Sequence, residues 1–181
     1  AVLYRSAVQY APRPRVRAPA HERRCATPPD SQAPNRPVRM LSYRHAFHAG
    51  NHADVLKHTV VVQLLRYLAQ KDKAYWYIDT HAGAGVYSLT EGYATKTAEF
   101  ETGIAKLWER TDLPAALREY VEQVGALNPD GRLRYYPGSP YLAWRLMREQ
   151  DRMRLFELHS TEIDILRHNF RDAGRRAMLY A

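Results

Sequence analysis

The chain has 181 residues, enough for one domain with a core, and its 45% hydrophobic content includes no apolar run near the about 20 residues of a membrane span, so we expect no membrane segment. Cys25 is the only cysteine, which excludes an intrachain disulfide or a cysteine-based zinc site and is compatible with the reducing cytoplasm. A formal net charge of +8 would indicate a nucleic-acid partner if the charge were spread over a folded surface.

Most of that charge lies in residues 1–39. This segment holds eight arginines against two acidic residues, a net +6, together with seven of the eleven prolines. The whole-chain charge is therefore weak evidence for RNA. Because the segment lacks apolar periodicity, it buries too little surface to offset its ordering entropy, and we predict a disordered tail rich in proline and arginine. We expect Met40 to be the natural start, with the tail upstream of it.

A helix is predicted to follow at residues 52–70. Asn51 can cap its first turn, and Asp54 suits the positive end of the helix dipole. Apolar residues then recur at i+4 spacing, and two more widen the stripe: Leu56, Val60, Leu64, Leu68, Val61 and Leu65. This pattern predicts a helix that is largely buried.

Strands and helices alternate in the rest of the chain. Residues 74–79 are aromatic and branched and run into a glycine turn at 80–85, which predicts a strand followed by a turn. Further helices are predicted at 98–110, 113–126, 140–149 and 161–172, and further strands at 153–158 and 177–181. The alternation predicts an α/β fold with a doubly wound parallel sheet.

The turn after the first strand carries a ligand-binding pattern. Asp79 ends the strand, and Gly83 and Gly85 follow it, as in folds that let a ligand approach the backbone closely. The dinucleotide spelling Gly-x-Gly-x-x-Gly is not met, because Ser88 occupies the last position. A purely structural glycine turn is the commoner reading of such a pattern taken alone.

Glu157 ends the next predicted strand of the sheet, where a carboxylate can accept hydrogen bonds from a ribose hydroxyl pair. In an uninterrupted fold this residue would lie about 20 residues after the glycine turn, whereas 78 positions separate it from Asp79. We therefore predict a helical insertion at about residues 92–134. A surface glutamate in a strand is the alternative when the residue is judged alone.

Four of the eight histidines fall within fourteen residues: His45, His48, His52 and His58. A metal site is the less favoured interpretation, because the Gly-Asn step at 50–51 interrupts any helical face that His48 and His52 would share. We expect no metal and favour polar or RNA-facing histidines.

A compact basic and aromatic patch overlaps this cluster and consists of Tyr43, Arg44, His45 and Lys57. Such a patch suits phosphate contacts and base stacking. An ordinary solvated turn explains these four residues equally well when nothing else is considered.

Four strings in the chain carry a resemblance to a known family. They are Met-Leu-Ser-Tyr-Arg-His-Ala-Phe-His-Ala-Gly-Asn-His-Ala-Asp-Val-Leu-Lys-His at 40–58, Asp-Thr-His-Ala-Gly-Ala-Gly at 79–85, Arg-Tyr-Tyr-Pro-Gly-Ser-Pro at 134–140 and Glu-Leu-His at 157–159. From Met40 onward the chain resembles the bacterial 23S rRNA adenine-N6 methyltransferases of the J type.

The resemblance implies a Rossmann-like, S-adenosylmethionine-dependent fold at 40–181 and a protein that methylates N6 of an adenine in 23S rRNA. We further expect a monomer in the cytoplasm. It implies that four residues contact the cofactor: His58, His81, Ser139 and Glu157. To these the glycine-turn pattern adds Asp79, Gly83 and Gly85. The resemblance also implies that Tyr43, with Arg44 beside it, faces the RNA, and that His45 and Lys57 lie near the reaction site.

One expected motif is missing. Members of this family place Asp-Pro-Pro-Tyr after the fourth strand, where it holds the adenine amino group, and nothing in the 181 residues matches it in the right order. We therefore expect the chain to stop after about the third strand of the sheet and to contain no catalytic residue of its own. A non-catalytic RNA-binding remnant and a DNA adenine methyltransferase are the alternative interpretations.

Overall fold

The computed structural model describes residues 45–91 and 94–181. The predicted tail, Tyr43 and Arg44 lie outside the described residues. The described chain is a mixed α/β fold, and helix α1 precedes its first strand. Among the described helices, none combines the length and the apolar character that a membrane crossing requires.

Helix α1 spans His52–Ala69 and begins as the sequence predicts, because the Asn51 side chain accepts a hydrogen bond from the backbone N–H of Asp54 at 3.0 Å. The predicted buried stripe is wrong. Four of its members are exposed, at fractions from 41% to 68%: Leu56, Val60, Leu64 and Leu68. The helix packs on α4 (Ala115–Gly125) and α5 (Ser139–Leu146), and its buried residues are Asp54, His58, Val62 and Leu65, of which only Leu65 belongs to the predicted stripe. Apolar spacing identified a helical face but not the face that meets the neighbouring helices.

A parallel sheet forms the centre of the fold, as predicted. Its strands are β1 (Trp76–Asp79), β4 (Arg152–Phe156) and β5 (Ala177–Tyr180), in the order β1-β4-β5. Asp79 pairs with Leu155, so the carboxyl ends of β1 and β4 meet at one edge of the sheet. This register brings Glu157, just beyond β4, beside the glycine turn that follows β1.

Two short strands that the sequence pattern did not predict pair with each other. Strand β2 (Val86–Ser88) is antiparallel to β3 (Tyr135–Pro137). The chain between them contains α2 (Ala94–Thr97), α3 (Ala105–Trp108) and α4 (Ala115–Gly125).

The prediction of a single helix at 98–110 is wrong, because the helical backbone is interrupted at Gly103. A short 3-10 turn, Glu99–Thr102, precedes α3, and the Ile104 backbone N–H donates to the Gly50 carbonyl at 2.9 Å. A Cβ at Gly103 would lie 2.1 Å from that carbonyl oxygen, so the two backbone segments touch only because residue 103 is glycine.

Two helices complete the fold close to their predicted positions. Helix α5 spans Ser139–Leu146, and helix α6 spans Ser160–Asn169. Helix α5 ends three residues before its predicted end because Met147 is extended and Arg148 is bonded to buried Asp151.

A buried hydrogen-bonded chain joins α1, β3 and α4. His58 Nδ1 lies 2.8 Å from the Tyr136 hydroxyl, which lies 2.9 Å from the Tyr120 hydroxyl, and the His58 ring stacks on Tyr136. Burial lowers the pKa of His58 to about 4, so the ring is neutral near pH 7. These three hydrogen-bonded side chains therefore bring no charge into the core near pH 7.

We expect Gly103→Ala to destabilise the protein by about 1–3 kcal/mol, the usual cost of forcing extra atoms into a packed contact. Gly125→Ala is the matched control: a Cβ there meets its nearest neighbour, Trp108, at an ordinary 3.9 Å, so stability should be unchanged or slightly raised. Urea unfolding measures both changes, and equal effects of the two substitutions would contradict the proposed backbone contact.

The lowered pKa of His58 predicts acid destabilisation. The unfolded chain takes up a proton on this ring near pH 6.5 and the folded protein only near pH 4, so the unfolded state binds more protons between these values. The contribution of His58 to the free energy of unfolding is therefore constant above pH 6.5. It falls by about 3 kcal/mol as the pH drops to 4. His58→Gln should flatten this part of the profile, whereas exposed His168→Gln should leave it unchanged. An unaltered slope in His58→Gln would disprove the assignment.

Candidate functional site

A cavity of about 450 Å³ opens where the carboxyl ends of β1 and β4 meet. Such a volume lies within the roughly 300–1,000 Å³ of small-molecule sites. Seven residues that the sequence singled out line it: His45, Lys57, His58, His81, Gly83, Ser139 and Glu157. The structure thus brings together residues that lie up to 112 positions apart in the chain.

The glycine turn forms one wall of the cavity. Gly83 has a φ of 61°, and a Cβ there would lie 2.1 Å from the Tyr87 hydroxyl, which itself accepts a hydrogen bond from the Ala84 N–H. Gly85 also has a positive φ, but it lies behind the wall, where a Cβ would crowd Leu166 of α6 and Phe170, which follows that helix. Both glycines are therefore required by the turn, and only Gly83 lines the cavity.

Glu157 ties this turn to the end of β4. One carboxylate oxygen accepts from the Gly83 N–H at 2.8 Å, and the other accepts from the His159 N–H at 2.7 Å. A carboxylate has about four acceptor positions, so each oxygen keeps capacity for a further donor. The carboxylate is half-buried and lines the cavity, and these two bonds fix its orientation there.

Asp79 lies behind the cavity wall and does not line the cavity. Its carboxylate accepts from the Ser139 hydroxyl at 2.6 Å, from the Tyr77 hydroxyl at 2.9 Å and from the His81 backbone N–H at 3.0 Å. Burial and the neighbouring Asp79 charge raise the pKa of Tyr77 far above its ordinary value, so its phenol stays protonated as a donor. Asp79 thus orients Ser139 and His81, which do line the cavity.

The α1 side of the cavity is lined by His45 and Lys57, which both contact Asp54. Asp54 is buried, its carboxylate accepts from His45 Nε2 at 2.9 Å, and it lies 2.7 Å from Lys57 Nζ. Burial alone would raise the pKa of Asp54, but the hydrogen bond and charge of His45, with contributions from His58 and Lys57, hold it well below its ordinary value. Asp54 is therefore ionised at neutral pH.

Several other lining residues had been given no role from the sequence: Thr80, Tyr87, Gly138, His159 and Glu162. Gly138 and His159 stand inside the strings at 134–140 and 157–159, so their position in the resemblance was an available signal. Tyr87 and Glu162 belong to no motif, and only the folding of β2 and α6 against the turn places them at the cavity.

The clustered histidines contact different partners. His45 bonds to Asp54 and His58 to Tyr136, whereas His48 bonds to Glu99 at 2.9 Å. Across residues 45–91 and 94–181, no group of three or more His, Cys, Asp or Glu side chains is arranged to hold a metal ion.

The chain is similar to known proteins along much of its length. A family model described as "Ribosomal RNA large subunit methyltransferase D, RlmJ" matches residues 72–181. The ribosomal RNA large subunit methyltransferase J of Escherichia coli (strain K12) is 53% identical over 136 residues, which cover 75% of this chain and 49% of that protein. Its namesake in Haemophilus influenzae is 52% identical over 134 residues, covering 74% of this chain and 48% of that protein.

A solved structure agrees with these sequence matches. The crystal structure of a Legionella pneumophila protein superimposes with a TM-score of 0.65 at 40% identity, covering 74% of this chain and 48% of that one. The chain spans about half the length of the curated relatives it matches. On these matches, the chain belongs to the ribosomal RNA large subunit methyltransferase family that the model describes.

Proposed function

We propose that the protein transfers a methyl group from S-adenosylmethionine to N6 of an adenine in 23S rRNA. The observation that carries the proposal is the cavity at the ends of β1 and β4, where Glu157 is held against the glycine turn. The names of the two bacterial relatives support methyl transfer and a large-subunit ribosomal RNA substrate.

The proposed fold is Rossmann-like. Three parallel strands, a glycine turn after the first and an acidic residue after the second are the parts that such a fold uses to bind a nucleoside. We place an inserted helical subdomain at about residues 92–134, because the chain leaves the turn through β2 and returns through β3. This insertion accounts for the long interval between Asp79 and Glu157.

The residues of the cavity fit S-adenosylmethionine. Glu157 has acceptor capacity for a ribose hydroxyl pair, and Gly83, whose positive φ shapes the turn, lines the cavity beside it. His58, His81 and Ser139 add polar groups around the remaining wall. When bound there, this cofactor supplies an electrophilic methyl group.

The chain's own residues bind and position the reactants. The motif that would hold the adenine amino group is not among these 181 residues, so we assign binding and orienting roles only. His45 and Lys57 lie at the α1 side of the cavity, where the target base, flipped out of its stack, would enter. Tyr43 and Arg44, immediately before His45 in the chain, are proposed to contact the RNA.

We further propose that the protein acts as a monomer in the cytoplasm. The single cysteine of the sequence, Cys25, is compatible with this reducing compartment.

Glu157→Ala should weaken the binding of S-adenosylmethionine by about 1.5–3 kcal/mol, the scale of a hydrogen bond to a charged group. Glu157→Gln should fall between this variant and the wild type, because its carbonyl still accepts one hydrogen bond. Exposed Glu149→Ala is the control. Isothermal calorimetry measures the affinities, and an unchanged affinity in Glu157→Ala would remove this residue from the cofactor site.

The activity itself is tested with the protein expressed from its natural gene, methyl-labelled S-adenosylmethionine and 23S rRNA from cells that lack the modification. We expect label in N6-methyladenosine after the RNA is digested, and none when the 23S rRNA already carries the modification. Label in another nucleoside, in DNA or in no nucleic acid would contradict the proposed function.

A further inference from the structure

We propose that Asp54 is a positioning residue that holds His45 and Lys57 at the cavity in the orientation in which they meet the RNA. The inference rests on the proposed function, because that function assigns these two side chains to the RNA side of the cavity.

Asp54 engages both groups at once. Its Oδ2 accepts from His45 Nε2 at 2.9 Å and from the Gly50 backbone N–H at 3.0 Å, and its Oδ1 lies 2.7 Å from Lys57 Nζ. Only 1% of the Asp54 side chain is exposed, against 20% of His45 and 57% of Lys57. One buried carboxylate thus anchors two accessible side chains.

Asp54 can act on a ligand only through these neighbours. His45 and Lys57 line the cavity, whereas Asp54 does not. The His45 ring also meets the Tyr87 ring edge-on, with 5.5 Å between the ring centroids, so it is held from a second side. The pair therefore presents an imidazole and an ammonium in a defined geometry, and Lys57 gains a fixed partner for an otherwise flexible side chain.

The local turn does not require a charged side chain at position 54. A neutral amide could accept the Gly50 N–H, and the Asn51 side chain already caps the helix. Burying a carboxylate instead costs several kcal/mol unless cations and donors offset it. Here His45 and Lys57 supply that compensation. Because an ionised carboxylate only accepts, the His45 proton must be on Nε2.

The kinetic test compares Asp54→Asn in two backgrounds. In the otherwise unchanged protein, the substitution should lower kcat on 23S rRNA about 10- to 100-fold, the effect of misplacing groups in a reactive geometry. The dissociation constant of S-adenosylmethionine should change less than about twofold, since Asp54 is outside the cavity. In a background carrying His45→Ala and Lys57→Ala, the same change should cost less than about threefold, because its two targets are gone.

Asp151→Asn is the matched control. Asp151 is equally buried and pairs with Arg148 three residues away, but its partner, unlike His45 and Lys57, does not line the cavity. Assayed well below its melting temperature, this variant should keep the wild-type kcat. Equal losses of kcat from Asp54→Asn in both backgrounds, or a matching loss in Asp151→Asn, would show a general structural role and overturn the proposal.

A second measurement needs no activity. Nitrogen-15 NMR of wild-type protein should find the His45 proton on Nε2, and a mixture of tautomers in Asp54→Asn. A wild-type ring protonated only on Nδ1 would overturn the proposal even if Asp54→Asn failed to fold. If the wild type transferred no methyl group but showed the Nε2 tautomer, the proposed function would fail while the Asp54–His45 contact stood.

Discussion

The parallel pairing of β1 with β4 is the constraint on which the site depends. With Asp79 opposite Leu155, the residues that follow each strand are delivered to the same edge, and Glu157 reaches the Gly83 N–H at 2.8 Å. A shift of one position in this register would turn the alternating side chains of β4 to the opposite face. The cavity is thus a product of backbone register, to which the chain between the two strands adds lining residues such as Gly83, Tyr87 and Ser139.

Electrostatics then divide the cavity into two sides. On the sheet side, Glu157 and Asp79 are bonded mainly to backbone N–H groups and hydroxyls, which orient carboxylates without neutralising them. On the α1 side, Asp54 is compensated by a lysine and a histidine, while His58 behind it stays neutral because burial lowers its pKa to about 4. Under the proposed function, the first side binds the ribose hydroxyls, and the second presents His45 and Lys57 to the RNA.

The sequence predicted the parts of the fold that depend on local chemistry. The Asn51 cap, the parallel sheet and the bounds of α6 within a few residues followed from short-range signals. The buried face of α1 could not be predicted, because apolar residues such as Leu56 and Leu64 lie on one side of the helix while the neighbouring helices pack on another. The break at Gly103 depends on a contact with Gly50, more than fifty residues away.

The residues of the candidate site were likewise predicted only in part. Strings of matching residues marked most lining residues, but Asp54 was noted only as a charge near a helix start, because its contact with His45 requires the turn at 48–51 to fold back. Asp79 and Gly85 were marked by motif, and the structure places both behind the wall, where they shape the residues in front.

The central claim is that the cavity between β1 and β4 holds the methyl donor. A crystal structure with S-adenosylhomocysteine, the demethylated product, tests it most directly. The account predicts that both ribose hydroxyls lie within about 3.2 Å of the Glu157 carboxylate oxygens, with the nucleoside against the turn at Gly83. A nucleoside bound elsewhere, or bound in this cavity with its ribose turned away from Glu157, would contradict the account.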